Sequence, residues 1–240
     1  MQSEVSGRET QSGAGTTRGG AVADGKILVI DVGGTHIKCF CGTARESRFP
    51  SGPAMSAAGM VAGVRKIIGK RRFAGVSIGY PGAVKEGRPV REPVNLGSGW
   101  VDFDYAGALG APVRMINDAA LQALGSYRSG TMLFLGFGTG LGSAAVVRGT
   151  VLPLELAHLP YRSRHSYEHY VGAEGLRRLG VRKWRTHALE VVEMLRNAFV
   201  ADDLAIGGGN GFRVIKHLPD ARLVTERAAF DGGVRLWQTI

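Results

Sequence analysis

The chain has 240 residues, of which 44% are hydrophobic, 21% charged and 8% aromatic, a composition typical of a folded globular protein and not of a collagen-like or disordered chain. Thirty lysines and arginines against 20 aspartates and glutamates give a net charge of +10, which favours polyanionic partners such as nucleic acid, an anionic membrane or a phosphorylated small molecule. Because no apolar stretch approaches the roughly 18 residues that cross a bilayer, a transmembrane role is not expected.

The N-terminal segment and the two cysteines indicate the cellular compartment of the protein. Residues 1–25 are rich in glycine, serine and threonine and contain no apolar core, which predicts a disordered leader rather than a secretory signal. The two cysteines, Cys39 and Cys41, lie two positions apart in a predicted strand, where both point to one face and are poorly placed to bridge each other. We therefore expect a reduced, cytoplasmic protein.

Apolar periodicity predicts alternating strands and helices in the first half of the chain. Short continuous apolar runs indicate buried strands, and apolar side chains three and four positions apart indicate an amphipathic helix. In chain order the predicted elements are a strand at 27–30, its hairpin partner at 36–41, a helix at 56–70, and strands at 76–78 and 113–116. The last of these strands ends at Asn117 and Asp118, just before a helix-prone run.

The second half repeats the opening pattern. An apolar strand at 132–135, a glycine-rich turn and a second strand at 143–147 follow the plan of the first hairpin at an offset of 105 residues, which indicates two related halves. A helix around 189–199 and a strand at 203–206 come next. Strands that alternate with helices in this way predict an α/β fold.

Three glycine-rich turns each follow an apolar strand, at residues 33–35, 136–142 and 207–211. Glycine lets successive backbone N–H groups approach a ligand and form a concavity suited to phosphate. Any one of these turns could simply join two strands, but three in equivalent places favour phosphate binding. The chain lacks the P-loop pattern, and Gly-x-Gly-x-x-Gly is absent from the first strand and turn, which argues against dinucleotide binding.

Asp31 ends the first strand just before the first glycine-rich turn. A carboxylate beside bound phosphates is repelled unless a cation lies between them. Magnesium is that cation in most phosphoryl transfer, so Asp31 is a candidate magnesium ligand, directly or through water. Thr35 and Lys38 would add a hydroxyl group and a positive charge near the phosphates. Lys38 could equally be a solvated strand residue.

Asn117 and Asp118 lie where a predicted strand ends and a helix begins, the place at which open α/β sheets bind their ligands. In the functional interpretation, Asp118 is a general base that accepts a proton from an attacking hydroxyl, and Asn117 holds the substrate. In the structural interpretation, either residue simply caps the helix.

Glu155 and His158 are three positions apart and could share one helical face, and Glu168 follows them. Carboxylates and imidazole suit sugar hydroxyls because each can accept a hydrogen bond. A zinc site formed by Glu155, His158, His165 and His169 is an alternative, but it lacks thiolates and the usual ligand spacing.

Taken together, these motifs resemble those of the ROK sugar kinases, particularly the polyphosphate glucokinase branch. The resemblance covers residues 26–238 and depends on the order and spacing of the motifs. The segment from Asp31 to Lys38 is similar to the first phosphate motif of the family, and 138–142 to its second. Asn117 and Asp118 are similar to the motif that holds the sugar and the catalytic base. Residues 155–158 are similar to the Glu-x-Gly-His sugar motif, with alanine in place of glycine.

The resemblance implies a role for each of these residues. Asp118 would be the catalytic base. The sugar would be bound by Asn95, Asn117, Asp118, Glu155, His158 and Glu168. The phosphoryl donor would be bound by Asp31, Gly33, Gly34, Thr35, Lys38, Gly138, Thr139, Gly140, Gly208, Gly209 and Asn210, with magnesium near Asp31. The family's usual cysteine-rich zinc segment has no counterpart, because residues 161–167 contain no cysteine, so structural zinc is not expected.

The resemblance also implies an architecture and an activity. The expected fold is the actin-like, ribonuclease H-like α/β fold, in which two lobes surround a cleft, usually in a homodimer. Residues 26–117 would form the N-terminal lobe and residues 118–225 the C-terminal lobe. Residues 226–240 would form a final helix that packs back on the first lobe. The implied reaction transfers a phosphoryl group from ATP or polyphosphate to the primary hydroxyl of a hexose, with glucose as first choice.

Other functions stay open at this point. The acceptor could be another hexose or hexose derivative, such as mannose, fructose or N-acetylmannosamine, and the same fold could serve a catalytically silent sugar-binding protein. Nucleic-acid binding is suggested by charge alone, without a recognised motif. The repressors of the family carry an added DNA-binding domain, for which the N-terminal leader is too short and too rich in glycine. We therefore expect neither a nucleic-acid nor a membrane partner.

Seven basic and two acidic residues lie between Arg162 and His187. They could form a track for a long polyanion, which would favour polyphosphate as the donor, or a solvated helical face with excess charge. Polyphosphate binding along such a track should weaken steeply with salt, whereas ATP held by preformed loops should respond less.

Overall fold

A computed structural model describes residues 26–43, 45–225 and 227–238, and the predicted leader lies outside these ranges. The first half forms β1 (Ile27–Val32), β2 (His36–Cys41), β3 (Glu46–Pro50), α1 (Ala57–Ile68), β4 (Gly75–Tyr80), β5 (Val84–Lys85), β6 (Arg88–Pro89), α2 (Tyr105–Leu109), β7 (Val113–Asn117) and α3 (Asp118–Ser126). The second half forms β8 (Thr131–Phe137), β9 (Leu141–Val147), β10 (Thr150–Leu154), a 3-10 turn (Leu156–His158), α4 (Tyr167–Val171), α5 (Ala173–Phe199), β11 (Asp203–Gly207), α6 (Phe212–Ile215), β12 (Ala221–Leu223) and α7 (Arg227–Arg235).

The strands form two five-stranded sheets of the same design. Their orders are β3-β2-β1-β4-β7 and β10-β9-β8-β11-β12. In each sheet, the first strand of its half pairs antiparallel with its hairpin partner on one side and parallel with a later strand on the other. This equivalence confirms the prediction of two related halves and of an α/β fold. The parallel arrangement also brings the ends of β1, β4 and β7 to one edge of the first sheet.

Helix α1 shows how the local sequence determines an element. Its N-cap is Ser56, whose hydroxyl accepts a hydrogen bond from the Gly59 N–H at 3.1 Å, and such a cap satisfies one of the helix's unpaired donors. The helix ends where Gly69 adopts a φ of 57°, a conformation that glycine reaches without strain. Its buried face consists of Ala57, Met60, Val61, Val64 and Ile68.

Helix α3 follows β7 without a loop, and α7 packs against it. Close approach of the two helices depends on Gly125 and Gly232, because a Cβ on either glycine would collide with a carbonyl of the other helix. Helix α7 also contacts β1 and β4. It therefore connects the first sheet to the helix that begins with Asp118.

Helix α5 is interrupted at Gly180, where φ is 73° and ψ is 160°. After this break, the buried Trp184 donates its indole N–H to the carbonyl of Val171 at 2.9 Å, which fixes α5 against α4. The helix predicted around 189–199 is the C-terminal part of this longer element.

Two observations bear on membrane and disulfide expectations. Within the residues that the structure describes, no helix is long and apolar enough to cross a membrane. Cys39 is buried, Cys41 is partly buried, and both are free thiols in β2. Burial, followed by the charge of Cys41, raises the pKa of the Cys39 thiol to about 12.

Candidate active site

Asp118 is the first residue of α3 and lies where β7 ends. Burial is the largest cause that raises the pKa of its carboxyl to about 7, and the carboxylates of Asp31 and Glu155 raise it further. Its Oδ1 accepts the N–H of Ala119 at 2.8 Å, a bond that favours the charged form. A carboxyl with this pKa can accept a proton near neutral pH.

Asp31 and Asp118 flank Gly79 at one end of the first sheet. Asp31 is buried near the end of β1 and lies opposite Gly79 in the parallel ladder with β4. A Cβ added to Gly79 would lie 3.3 Å from Oδ1 of Asp31, 3.4 Å from Cα of Asp118 and 2.8 Å from Cδ2 of Leu121. The bare backbone of Gly79 therefore allows both acidic residues to approach the same point.

Asn117 is the N-cap of α3. Its Oδ1 accepts the Ala120 N–H at 3.1 Å, and its Nδ2 donates to the carbonyl of Gly82 at 3.2 Å. Both ends of the amide are therefore engaged within the protein, as the structural interpretation of Asn117 predicts. The second bond also ties the loop that follows β4 to the helix that carries Asp118.

The first glycine-rich turn, residues 33–35, is closed by backbone hydrogen bonds. The N–H of Gly33 donates to the carbonyl of His36 at 3.0 Å. Ser51 holds the other side, because its hydroxyl donates to the Gly33 carbonyl at 2.6 Å and its N–H to the Thr35 carbonyl at 3.0 Å. These bonds turn two carbonyls of the segment toward Ser51, so the segment has a fixed conformation before any ligand binds.

Three predicted parts of the site converge at Gly34. A Cβ added there would lie 3.4 Å from Cβ of Asn95 and 3.9 Å from the hydroxyl oxygen of Thr139. Gly34 and Thr139 belong to the first and second glycine-rich turns, and Asn95 belongs to the predicted sugar side. The structure thus brings both turns and Asn95 to one place.

The second glycine-rich turn is fixed by the helices that follow it. The Thr139 carbonyl accepts the N–H of Ala173, the first residue of α5, at 2.9 Å, and the Gly140 carbonyl accepts the Gly138 N–H at 3.0 Å. The Glu168 carboxylate packs directly on Gly140, where it would collide with a Cβ. This places Glu168 beside the predicted donor turn.

The third glycine-rich turn lies against the end of β8. Gly208 has a φ of 76° and packs on the backbone of Phe137, whose carbonyl accepts the Asn210 N–H at 2.8 Å. The Asn210 side chain accepts a hydrogen bond from Nε of Arg213 at 3.1 Å. Space beside Gly209 is open, since a Cβ there would meet no atom within 4 Å.

Lys38 lies opposite Asp31 in the antiparallel pairing of β2 with β1. Directly paired residues in such a ladder project to the same side of the sheet. Lys38 is partly buried and engaged in an interaction. The register therefore places Lys38 and Asp31 on the same face of the first sheet.

Glu155 precedes the 3-10 turn that follows β10, and His158 is the last residue of that turn. The distance from Oε2 of Glu155 to Nε2 of His158 is 3.6 Å, and their side chains are 50% and 69% exposed. Glu155 contributes to the raised pKa of Asp118. The pair therefore lies on an accessible surface within electrostatic reach of the candidate base.

Glu92 is a residue that sequence reasoning missed. Its carboxylate accepts backbone N–H groups from Gly99 at 3.2 Å, Trp100 at 3.1 Å and Val101 at 3.3 Å. The loop closed in this way carries Asn95, and the buried Trp100 anchors it. Ser51 and Gly79 were missed for the same reason, because each acts on residues distant in the sequence. A sequence offers no signal for such contacts.

The sequence suggests two places for a metal ion, one at Asp31 and one at the Glu155, His158, His165 and His169 set. Among the residues that the structure describes, no group of three or more His, Cys, Asp or Glu side chains is able to hold a metal ion. The zinc set considered above is not assembled, and the rings of His165 and His169 stack at 4.0 Å instead. Asp31 stays a predicted magnesium ligand, and as a single carboxylate it would leave the other ligand positions to water and to the phosphates of the donor.

The comparison of sequences identifies the family. No protein-family model matches the chain. The chain is 30% identical over 237 residues to the polyphosphate glucokinase of Mycobacterium tuberculosis, a match that covers 90% of this chain and 85% of the relative. The chain therefore belongs to the polyphosphate glucokinase branch of the ROK sugar kinases.

Solved structures similar to this kinase have the same fold. An inorganic polyphosphate/ATP-glucomannokinase from Arthrobacter sp. strain KM is 26% identical, with a TM-score of 0.74 and coverage of 88% of this chain and 98% of that one. A ROK family glucokinase from Streptomyces griseus, in complex with glucose and AMPPNP, is 17% identical, with a TM-score of 0.70 and coverage of 87% and 98%. The family, the actin-like fold and the sugar kinase class predicted from the motifs are confirmed. The roles of individual residues stay predictions.

Proposed function

We propose that this kinase phosphorylates the primary hydroxyl of glucose and that Asp118 is its general base. The observation that carries the proposal is the acidic end of the first sheet, where partial burial and the Asp31 and Glu155 carboxylates raise the pKa of Asp118 to about 7. The names of its relatives support glucose as the acceptor.

In the proposed mechanism, the sugar hydroxyl attacks the terminal phosphorus of the donor. A new bond forms between the hydroxyl oxygen and phosphorus, the hydroxyl proton passes to Asp118, and the bond from phosphorus to the donor's bridging oxygen breaks. The products are a sugar phosphate and a donor shortened by one phosphate. The proton on Asp118 then returns to solvent.

The chain's own contribution is positioning and electrostatics. Residues 33–35 and 138–140 hold the donor through backbone N–H groups other than those of Gly33 and Gly138, which are bonded within their turns. Glu155, His158 and Glu168 orient the sugar. Groups fixed before the reaction need no reorganisation during it, which is the main source of rate enhancement in this chemistry. Asp31 would hold magnesium, directly or through water, and the ion when bound would screen the negative charge of the donor.

Asp118→Asn tests the proposed base. We expect turnover to fall by about 100- to 10,000-fold, the range that removal of a general base commonly costs. Glucose affinity measured by calorimetry should stay close to that of the unchanged protein. The matched control is Asp220→Asn, which changes an exposed carboxylate. Near-normal turnover of Asp118→Asn would refute the assignment of the base.

Polyphosphate is the donor that we favour. Two of the relatives carry polyphosphate in their names. Part of the predicted basic track is neutralised, because Arg162 binds Glu190 at 2.6 and 2.7 Å and Arg177 binds Glu174 at 2.5 Å. Within residues 26–43, 45–225 and 227–238, no acidic partner lies within ion-pair distance of the remaining basic residues Arg164, Arg178, Arg182, Lys183 and Arg185.

Initial rates with polyphosphate and ATP, matched for phosphate concentration, test the donor. We expect polyphosphate to be used and its KM to rise steeply between low and high salt, because screening weakens contacts between exposed charges. ATP should respond less. The control variant Arg177→Gln alters an already paired arginine, whereas Arg182→Gln alters one without such a partner. Strict ATP preference would show that the track is only surface charge.

Mannose is a second candidate acceptor, because one structural relative is named a glucomannokinase. A screen of glucose, mannose, fructose and N-acetylmannosamine with both donors tests acceptor choice. Glucose should give the highest kcat/KM, and activity with mannose alone would overturn the proposal for glucose. Binding of sugar without turnover by either donor would identify a silent sugar-binding protein.

We also infer a homodimer, from the family resemblance, and a cytoplasmic location, from the reduced cysteines. A subunit contact through the edge strand β10 and the segment after it would cover Leu152 and Leu159, which are 54% and 43% accessible. Light scattering would give the mass in solution. A monomer at micromolar concentration would contradict the inference about assembly.

A further inference from the structure

Ser143 is a buried polar residue in β9, immediately after the second glycine-rich turn. It is 1% exposed. Its hydroxyl donates to the carbonyl of Leu154 at 2.9 Å and accepts the N–H of Leu156 at 3.2 Å. These two partners are the residues on either side of Glu155. A single hydroxyl therefore fixes the backbone before and after a predicted sugar-binding carboxylate.

The main chain changes conformation at Glu155. Strand β10 ends at Leu154, the 3-10 turn begins at Leu156, and Glu155 between them has a φ of −113° and a ψ of 48°. The side chain of Glu155 does not cap the turn. The Ser143 hydroxyl is thus the side-chain group that holds the first N–H of the turn.

The contact between the side chains of Glu155 and His158 is too weak to hold them in place. Their contact, at 3.6 Å, is between two groups that are at least half exposed, and exposed ion pairs contribute little to structure. Their placement depends on the backbone beneath them. Ser143 is the buried polar group that holds this backbone.

Ser143 also lies close to the helix that carries the proposed base. It pairs with Leu135 of β8 on one side and Leu154 of β10 on the other. A Cβ added to the preceding Gly142 would lie 2.9 Å from Cβ of Ala119, the residue after Asp118. The sugar-side segment is therefore attached to β9 directly beside the helix that carries the base.

We propose that Ser143 is a positioning residue for sugar binding, which acts by holding residues 154–156 so that Glu155 and His158 face the sugar. The proposal rests on the proposed function, in which these two side chains bind the acceptor. Ser143 contacts neither the reacting atoms nor the donor. Its effect should therefore fall on acceptor binding alone.

Ser143→Ala is the test variant. It removes the side-chain hydrogen bonds to the Leu154 carbonyl and from the Leu156 N–H, in a buried place where losing a hydrogen bond is costly. We expect KM for glucose to rise about tenfold, which corresponds to about 1.4 kcal/mol. We expect kcat and the KM for the donor to change by less than about threefold, because the transition-state contacts remain.

Ser77→Ala is the matched control. Ser77 is fully buried in β4, donates to the carbonyl of Gly233 at 2.6 Å and accepts the indole N–H of Trp237 at 2.8 Å. Ser77→Ala therefore also loses one donated and one accepted hydrogen bond, but the partners of Ser77 belong to the C-terminal region and not to residues 154–156. Its melting temperature should fall while its KM for glucose stays unchanged.

Glucose affinity is also measured by calorimetry, so that the two proposals can fail separately. A raised Kd and KM for glucose in Ser143→Ala but not in Ser77→Ala supports the positioning role. Unchanged glucose binding, or an equal change in both variants, overturns it while leaving the glucokinase assignment intact. If the unchanged protein binds glucose without phosphorylating it, the proposed function fails and Kd alone decides the role of Ser143. Should Ser143→Ala not fold, Ser143→Cys replaces it, with a smaller rise expected.

Discussion

Asp118 combines three properties that a catalytic carboxylate needs, namely partial burial, two acidic neighbours and a fixed backbone. The neighbours are Asp31 and Glu155, and both disfavour its charged form. Gly79 makes the approach of Asp31 possible, since any side chain at that position would press on both residues. Asn117 fixes the backbone through the helix cap. The raised pKa is therefore built by residues from separate parts of the chain.

This raised pKa predicts how stability depends on pH. The folded protein keeps a proton on Asp118 up to about pH 7, whereas the unfolded chain releases it near pH 4. Ionisation therefore costs the folded state free energy, and the cost grows as pH rises from about 4 to about 7. Asp118→Asn should remove that cost and stabilise the protein at pH 8 by up to about 4 kcal/mol, because each unit of pKa difference corresponds to about 1.4 kcal/mol.

Denaturant unfolding of the unchanged protein and of Asp118→Asn, at pH 4.5 and at pH 8, measures this difference in stability. The gain from Asp118→Asn should be larger at pH 8, and the control Asp220→Asn should show no comparable rise. An equal gain at both pH values would mean that Asp118 ionises normally in the folded protein.

At the scale of elements, three strand ends carry the glycine-rich turns, and each turn is held by a different neighbour. Ser51 holds the first turn, the start of α5 holds the second, and the third lies against Phe137 at the end of β8. The strands and turns themselves were predictable, because continuous apolar runs and glycine punctuation are local signals. The holding residues were not, since their partners are remote in sequence.

The packing of the third turn predicts that replacing Gly208 destabilises the protein. Gly208 has a positive φ of 76°, and a Cβ there would collide with the backbone of Phe137. Gly208→Ala should therefore lower the free energy of unfolding by about 2 kcal/mol, the cost of backbone strain and a forced shift. Gly209→Ala is the neighbouring control, because an added Cβ meets no atom within 4 Å. Equal stability of the two variants in denaturant unfolding would contradict the packing of this turn.

At the scale of the whole molecule, the duplication that the sequence suggests gives two equivalent sheets. The candidate site is completed by contacts between segments that are distant in the sequence. The equivalent sheets and the helix that starts at Asp118 follow from periodicity. Periodicity does not predict that Gly34, Asn95 and Thr139 meet, because these residues belong to three segments that are distant in the sequence. The same is true of α7, whose position on β1, β4 and α3 depends on the small residues that allow close approach. The predicted lobe boundaries and the final helix stay proposals about folding units.

The contact made by Trp237 tests whether the C-terminal region stabilises the whole molecule. Trp237 is 8% exposed, donates its indole N–H to Ser77 at 2.8 Å and lies under the guanidinium of Arg114 at 4.5 Å. Its ring also fills the space beside Gly75, where a Cβ would collide with it. Trp237→Ala should therefore lower the free energy of unfolding by about 3 to 5 kcal/mol, the usual cost of a large buried cavity.

Trp237→Phe separates the two contributions to this stability. It keeps most of the buried volume and removes the hydrogen bond to Ser77, so it should cost about 1 kcal/mol. Both variants should unfold in a single transition, measured by circular dichroism in denaturant, because Trp237 packs on the sheet whose strands lead into Asp31 and Asp118. A Trp237→Ala protein as stable as the original would show that the C-terminal region is not part of the cooperative fold.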